Sequence, residues 1–216
     1  MTETTVRLTE IFFSVQGESS FVGLPTVFIR LTGCPLRCIY CDSAYAFEGG
    51  QKWKIGAILE NIKKYPARHV CVTGGEPLAQ PQCLELLDAL VQENFQVSLE
   101  TSGAMPVEQV NPAVARIVDF KTPSSGEIAK NLWENLQHLG RKDEIKFVIG
   151  SDDDFSWALS KVLEFNLCEK VGSVLFSPVH GSYDLPVFAE KVLGTGLPIR
   201  MQIQLHKYIW GDTPGH

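Results

Sequence analysis

Three cysteines, Cys34, Cys38 and Cys41, fall within eight residues as a C-x3-C-x2-C loop, directly after an apolar run at 26–31 that reads as a buried strand. This loop constrains the fold most, because its backbone must deliver three thiolates to one centre. Three is an awkward number. A closed structural zinc site takes four protein ligands, and an electron-transfer iron–sulfur cluster usually has four cysteines. A [4Fe–4S] cluster held by three leaves one iron open to an outside ligand. Cys71, Cys83 and Cys168 do not complete the set; they are scattered through apolar segments, where a thiol packs as a small hydrophobe. With 216 residues the chain can bury a full core and has little need of disulfide staples.

Beyond the loop, strand-like and helix-like patterns alternate. Strands are expected at 8–15, 26–31, 69–73, 96–100, 116–120, 144–149, 172–176 and 198–204. Helices are expected at 55–65, 80–93, 107–115, 127–139, 155–165 and 185–193, the first with Ile55, Ile58, Leu59 and Ile62 on one face. Residues 48–52 read as a polar connection, and the tail 205–216 shows no period. Such alternation implies right-handed βα units and a parallel sheet of about seven strands, either an incomplete barrel or a doubly wound sheet. In both, ligands bind at the carboxyl ends of the strands. The loops 34–43, 74–77, 101–103, 121–125 and 177–180 would then share one rim.

The composition excludes several classes. Net charge is −6, without the basic stripe of a nucleic-acid binder. The apolar runs are strand-length, far below the roughly 20 residues that cross a bilayer. The N-terminus lacks the basic and apolar regions of a signal peptide, so a cytoplasmic location is expected.

The cysteine loop, with Tyr40 before its third cysteine, resembles that of the radical S-adenosylmethionine (SAM) superfamily. Thr73-Gly-Gly-Glu-Pro77, after the next expected strand, resembles the Gly-Gly-Glu-Pro turn of the same superfamily. The resemblance implies an α/β fold, an incomplete (β/α) barrel of the radical SAM type with mostly parallel strands, formed by one domain over 1–216. It also implies a [4Fe–4S] cluster on Cys34, Cys38 and Cys41, with SAM chelating the open iron. One electron then cleaves SAM to a 5′-deoxyadenosyl radical. Tyr40, Cys41, Asp42, Gly74, Gly75, Glu76, Glu100, Ser102 and Lys121 are the expected SAM contacts. Gly74 and Gly75 permit positive φ and close backbone approach. Glu76 is read as a loop organiser or ammonium partner, and Lys121 as a carboxylate partner or a solvated lysine. Glu100, Thr101 and Ser102 would meet the ribose or cap a helix.

Three further segments resemble the 7-carboxy-7-deazaguanine synthases of queuosine and 7-deazapurine biosynthesis: 11–18 ahead of the strand carrying Arg30, Cys41-Asp42-Ser43, and 202–210. By that resemblance the substrate is 6-carboxy-5,6,7,8-tetrahydropterin. Hydrogen abstraction at C6 would lead to ring contraction and loss of ammonia, with SAM regenerated. Val15, Gln16, Gly17, Glu18, Arg30, Thr73 and His206 would lie near substrate. Gln16 and Glu18 offer mixed donors and acceptors for a pterin edge, and Arg30 a fork for a carboxylate. Ser43 would bind Mg²⁺ or cap a helix. The resemblance also implies a small electron donor such as flavodoxin or ferredoxin, and a homodimer. Two other readings stay open: a glycyl-radical-enzyme activase with the same cysteine spacing, and a non-catalytic metal-binding module.

Overall fold

The computed structural model describes residues 4–211, 213 and 215; Met1–Glu3, Asp212, Pro214 and His216 lie outside them, so the extension 211–216 is described only in part. The elements run β1 (Thr5–Val15), β2 (Pro25–Leu31), β3 (Gln51–Lys54), α1 (Ile55–Ile62), β4 (His69–Gly74), α2 (Cys83–Gln92), β5 (Gln96–Thr101), β6 (Ala115–Asp119), β7 (Glu144–Ile149), α3 (Asp152–Glu164), α4 (Leu167–Lys170), β8 (Ser173–Pro178), α5 (Leu185–Gly194), β9 (Ile199–Met201) and α6 (Leu205–Trp210). Among the described residues nine strands form one sheet in the order β3-β1-β2-β4-β5-β6-β7-β8-β9. From β2 to β9 every pairing is parallel, which gives seven parallel strands. On the other side β1 pairs antiparallel with both β2 and β3.

This order decides between the two architectures. A doubly wound sheet reverses direction at a switch point, whereas here each parallel strand is laid beside the one before it, always in the same sense. Right-handed crossovers repeated in one direction put the helices on one face, as in a barrel. The two outermost strands, β3 and β9, do not pair, so the barrel is incomplete.

Alternation along the strands separates the two faces. Ile29, Leu31, Val72, Leu99, Val118, Ile145 and Phe147 point outward into a core shared with Leu86, Leu87, Leu90, Phe155 and Val162 of the helices. The intervening residues Phe28, Arg30, Thr73, Glu100, Asp119, Lys146 and Val148 line a cavity on the inner face. A strand buried on both faces normally reads as a continuous apolar run. Charged residues at these positions therefore mark the inner face as functional.

Some expected elements differ. The helix at 107–115 is a set of turns, and that at 127–139 breaks into the short 3-10 turns Ile128–Lys130 and Trp133–Gln137. Asparagine side chains compete for the backbone there: Asn135 binds Val107 N and the carbonyls of Gly103 and Met105, and Asn131 binds both N and O of Lys121. Residues 51–54 form a strand instead of a polar connection, because β1 extends far enough to pair with them. The last strand shortens to Ile199–Met201, and the tail forms α6. Helix α3 starts at Asp152, three residues before the expected 155, because Ser151 accepts from Asp154 N as the N-cap and the three aspartates join the first turn, where the helix dipole favours them.

At the other end of the barrel, Asp143 is fully buried against Arg116, accepting from its backbone N and from Nε at 3.0 Å and Nη2 at 2.6 Å. Burial alone would raise this carboxyl; the Arg116, Lys142 and Gly140 donors outweigh it and hold it below the ordinary value. A depressed folded-state pKa stabilises at pH above the unfolded value, and that stability is lost as pH falls through the folded value. Asp143→Ala should cost about 3–5 kcal/mol by stranding a buried guanidinium. It should also remove this pair's share of acid sensitivity, as read from urea midpoints between neutral and acidic pH.

Candidate active site

Loop 32–43 leaves the carboxyl end of β2 and folds over the neighbouring strand end. Gly75 N donates to Leu31 O at 3.3 Å and Glu76 N to Gly33 O at 2.7 Å. Neither Gly74 nor Gly75 has a positive φ, contrary to one expected use of glycine here. What requires glycine is close approach. A Cβ on Gly74 would meet Leu31 O, and one on Gly75 would overlap Gly33 O and the Cβ of Cys34. The two sequence motifs are thus one packed unit.

Glu76 locks that unit. Its carboxylate accepts from Leu78 N at 2.9 Å, Thr101 Oγ1 at 2.9 Å, Ser102 N at 2.6 Å and Ser102 Oγ at 2.5 Å. It is wholly buried and does not line the cavity, so its place is that of a loop organiser. The Thr101 and Ser102 hydroxyls donate to it, Ser102 Oγ also accepts from Ala104 N at 3.4 Å, and both residues still border the cavity.

All three loop cysteines are free thiols, part-buried on the cavity wall. Burial pushes the Cys38 thiol up to about 11, so ligation there must expel a proton. Among the described residues, no group of three or more His, Cys, Asp or Glu could hold a single metal ion. A mononuclear site gathers all its donors at about 2.3 Å or less. Three thiols on one cavity wall are the donor set that would hold a [4Fe–4S] cluster with one iron left open.

The cavity, about 790 Å³, opens at the carboxyl ends of the strands. Val15, Gln16, Glu18, Arg30, Tyr40, Asp42, Ser43, Thr73, Gly74, Gly75, Glu100, Ser102, Lys121 and His206 all line it; Gly17 and Glu76 lie just behind the surface. A Cβ on Gly17 would run into the His206 ring, and Leu205 N donates to Gly17 O at 3.0 Å. Thus α6 closes over the 15–18 segment, and His206 faces the cavity. Burial lowers its pKa, leaving a neutral imidazole at physiological pH.

Arg30 has Nε on Glu10 at 2.8 Å and lies between the Phe12 and Tyr45 rings at 5.8 and 5.7 Å. Lys121 pairs with Asp119 at 2.9 Å, one inner-face position back on the same chain. Ser43 occupies the N-cap position of the turn Ala44–Ala46 without a capping bond; its hydroxyl donates to Asp42 at 3.1 Å. Asp42 also meets Gln204 at 2.8 Å and Lys207 at 3.3 Å, tying the cysteine loop to α6. Burial would raise Asp42, but these partners and Lys146 draw it down to about 2.

Several residues in or behind the lining carry no motif and were not singled out from the sequence: Asp119, Lys146, Tyr45 and, behind Arg30, Glu10; Gln204 lies in the 202–210 segment but was given no role of its own. For Asp119 and Lys146 the readable signal was an ion inside an apolar strand, the same oddity that marked Arg30.

A family model described as the Radical SAM superfamily matches residues 28–120. A 7-carboxy-7-deazaguanine synthase of Chlorobaculum tepidum is 43% identical over 212 residues, covering 97% of this chain and 96% of that protein. One from Koribacter versatilis is 41% identical, covering 95% and 97%. The solved structure of QueE from Escherichia coli superposes with a TM-score of 0.78 at 27% identity, covering 94% of this chain and 95% of that one.

Proposed function

Because this chain belongs to the 7-carboxy-7-deazaguanine synthase family of radical SAM enzymes, we propose that it converts 6-carboxy-5,6,7,8-tetrahydropterin to 7-carboxy-7-deazaguanine, a carbon–nitrogen lyase reaction that releases ammonia. One observation carries the reading: the three cluster thiols and the guanidinium of Arg30 open into the same cavity. When bound, the cluster and SAM supply the one-electron chemistry that removes the C6 hydrogen; the protein supplies binding, orientation and exclusion of water.

Cys34, Cys38 and Cys41 are the cluster ligands in this reading. The backbone at Gly74 and Gly75, with Tyr40, Asp42 and Glu100, would hold SAM, and Lys121, now on Asp119, would take its carboxylate. Glu76 and Ser102 act by holding that backbone in place. Arg30 is fixed by Glu10 through Nε and touches Gly74 O through Nη1 at 3.5 Å, so Nη2 and the second N–H of Nη1 would serve the substrate carboxylate. Val15, Gln16, Gly17, Glu18 and Thr73 form the pterin-edge wall, and His206 contributes a neutral ring above Gly17. Mg²⁺ would rest on Ser43 with substrate and water oxygens, as this hard, strongly hydrated ion is commonly held. Roofing by α6 keeps solvent from the reacting carbon.

No helix among the described residues is long and apolar enough to cross a membrane. A flavodoxin or ferredoxin is the proposed donor, a homodimer the proposed assembly and the reducing cytoplasm the proposed location. A glycyl-radical activase would need a groove for a protein chain, and the charged floor and α6 roof fit a small molecule better. Anaerobically reconstituted protein given SAM, reductant, Mg²⁺ and the carboxytetrahydropterin should form 7-carboxy-7-deazaguanine, detected by mass spectrometry. An intact cluster that cleaves SAM yet yields no such product would reject the substrate and leave the superfamily standing.

A further inference from the structure

Strand β7 reads Glu-Ile-Lys-Phe-Val-Ile, and its inner-face Lys146 is only 15% exposed. Its ammonium pairs with Glu18 Oε2, while Gln204 Nε2 donates to Glu18 Oε1 at 2.9 Å. Across the parallel register lies Asp119, already paired with Lys121. Glu100 has its own donors, Gln16 Nε2 and Thr73 Oγ1, both at 3.2 Å. Of the cations around these three carboxylates, Lys146 is the one in direct contact with Glu18, while Lys121 takes Asp119.

We infer that Lys146 is a positioning residue, which holds Glu18 ionised and oriented so that its remaining lone pairs accept the N–H donors of a pterin's amino-pyrimidinone edge. A carboxylate offers about four acceptor sites. Lys146 and Gln204 take one on each oxygen, from two fixed directions, and the other sites belong to the cavity. The cavity's other charges would work against this state. Glu18 faces Asp42 from the cysteine loop and Glu100 from β5, both like charges, and His206 from α6, whose ring is neutral. Burial by itself would raise Glu18; the Lys146 charge and hydrogen bond, with Gln204, outweigh it and hold the carboxyl below its ordinary value. Glu100, similarly buried and near Glu18, is raised instead. The contrast follows from which of the two carboxylates lies against the ammonium. This assignment rests on the pterin reading above, since it names the ligand edge that Glu18 serves.

The test is a double-mutant cycle on KM for the carboxytetrahydropterin, with iron content, SAM binding and melting temperature measured in parallel. Lys146→Met should raise KM by roughly 30-fold, the cost of a hydrogen bond to a charged group, while iron content and SAM affinity stay as in wild type. Lys146→Arg should recover most of that loss. In a Glu18→Gln background, where no charge needs holding, Lys146→Met should change KM by less than about 3-fold, the coupling expected when one residue acts through another. An unchanged KM in Lys146→Met, or an equal loss in both backgrounds, would overturn the inference. Should Lys146→Met alone fail to load iron, the Glu18→Gln pair decides, because it contains no stranded carboxylate. A wild-type protein that cleaves SAM but does not turn over this pterin removes the reading of substrate and this assignment with it. A wild-type protein that turns over normally confines any failure to Lys146.

Discussion

Cys38→Ala is expected to lose both SAM cleavage and product formation by at least ~10³-fold, with no [4Fe–4S] signal after reconstitution, because the cluster proposed on Cys34, Cys38 and Cys41 would lose one of its three cysteine ligands. The chain itself should still fold. Cys38 sits on the cavity wall and is absent from the apolar core. The loop's shape comes from other bonds: Gly33 N to Ala46 O at 2.8 Å, Ile39 N to Ser125 O at 3.0 Å, and Arg37 Nη1 to the carbonyls of Cys34 and Leu36 at 2.8 and 2.7 Å. Melting temperature without cluster should therefore match wild-type apoprotein. Cys83→Ala provides the contrast. Cys83 is fully buried at the start of α2, so its loss should cost roughly 1 kcal/mol of stability and leave the cluster spectrum intact. Iron and sulfide per chain, with absorbance and paramagnetic resonance spectra, measure the first effect. A Cys38→Ala protein that still cleaves SAM would refute the cluster assignment.

The parallel core was legible because its strands are short apolar runs separated by helical periods, and because each polar segment following a strand falls on the same rim. The cysteine loop and the Thr73–Pro77 turn were legible as motifs. Their union was not. Nothing local shows that Gly75 is glycine because Gly33 O and Cys34 pass over it, for that contact forms only once β2 and β4 pair. The same limit explains the helix read at 127–139. Its apolar residues suit a helical face, yet Asn131 and Asn135 bond loop backbone instead, a tertiary effect that overrides local propensity. Residues 51–54 carry only Trp53 as a strong strand signal, and their pairing depends on an 11-residue β1. Lys146 and Asp119 sit on separate strands about 27 residues apart, and only the register makes them neighbours. What periodicity can reveal is which face a residue takes, not which ion stands opposite it.

Arg30→Ala is expected to raise KM for the carboxypterin by about 10- to 100-fold, equivalent to losing a hydrogen bond to a charged partner, while iron content and SAM binding persist. Two roles compete for this residue, and the geometry separates them. As a purely structural ion pair, Arg30 would serve Glu10, whose Oε1 it meets through Nε at 2.8 Å and which also accepts from Tyr45 at 2.8 Å. Then Glu10→Gln and Arg30→Ala would share their effect on stability, and neither would move KM. As a carboxylate fork, Arg30 needs Glu10 only to fix its plane, with the Phe12 and Tyr45 rings beside it. Glu10→Gln should then be mild, Arg30→Ala severe, and Arg30→Lys intermediate at best, since an ammonium keeps the charge but cannot present two parallel N–H groups. The pattern across these three substitutions, read as KM against kcat, distinguishes the roles even if all three lower the melting temperature. Equal KM values throughout would remove Arg30 from the substrate site and leave the carboxylate to the Mg²⁺ proposed at Ser43.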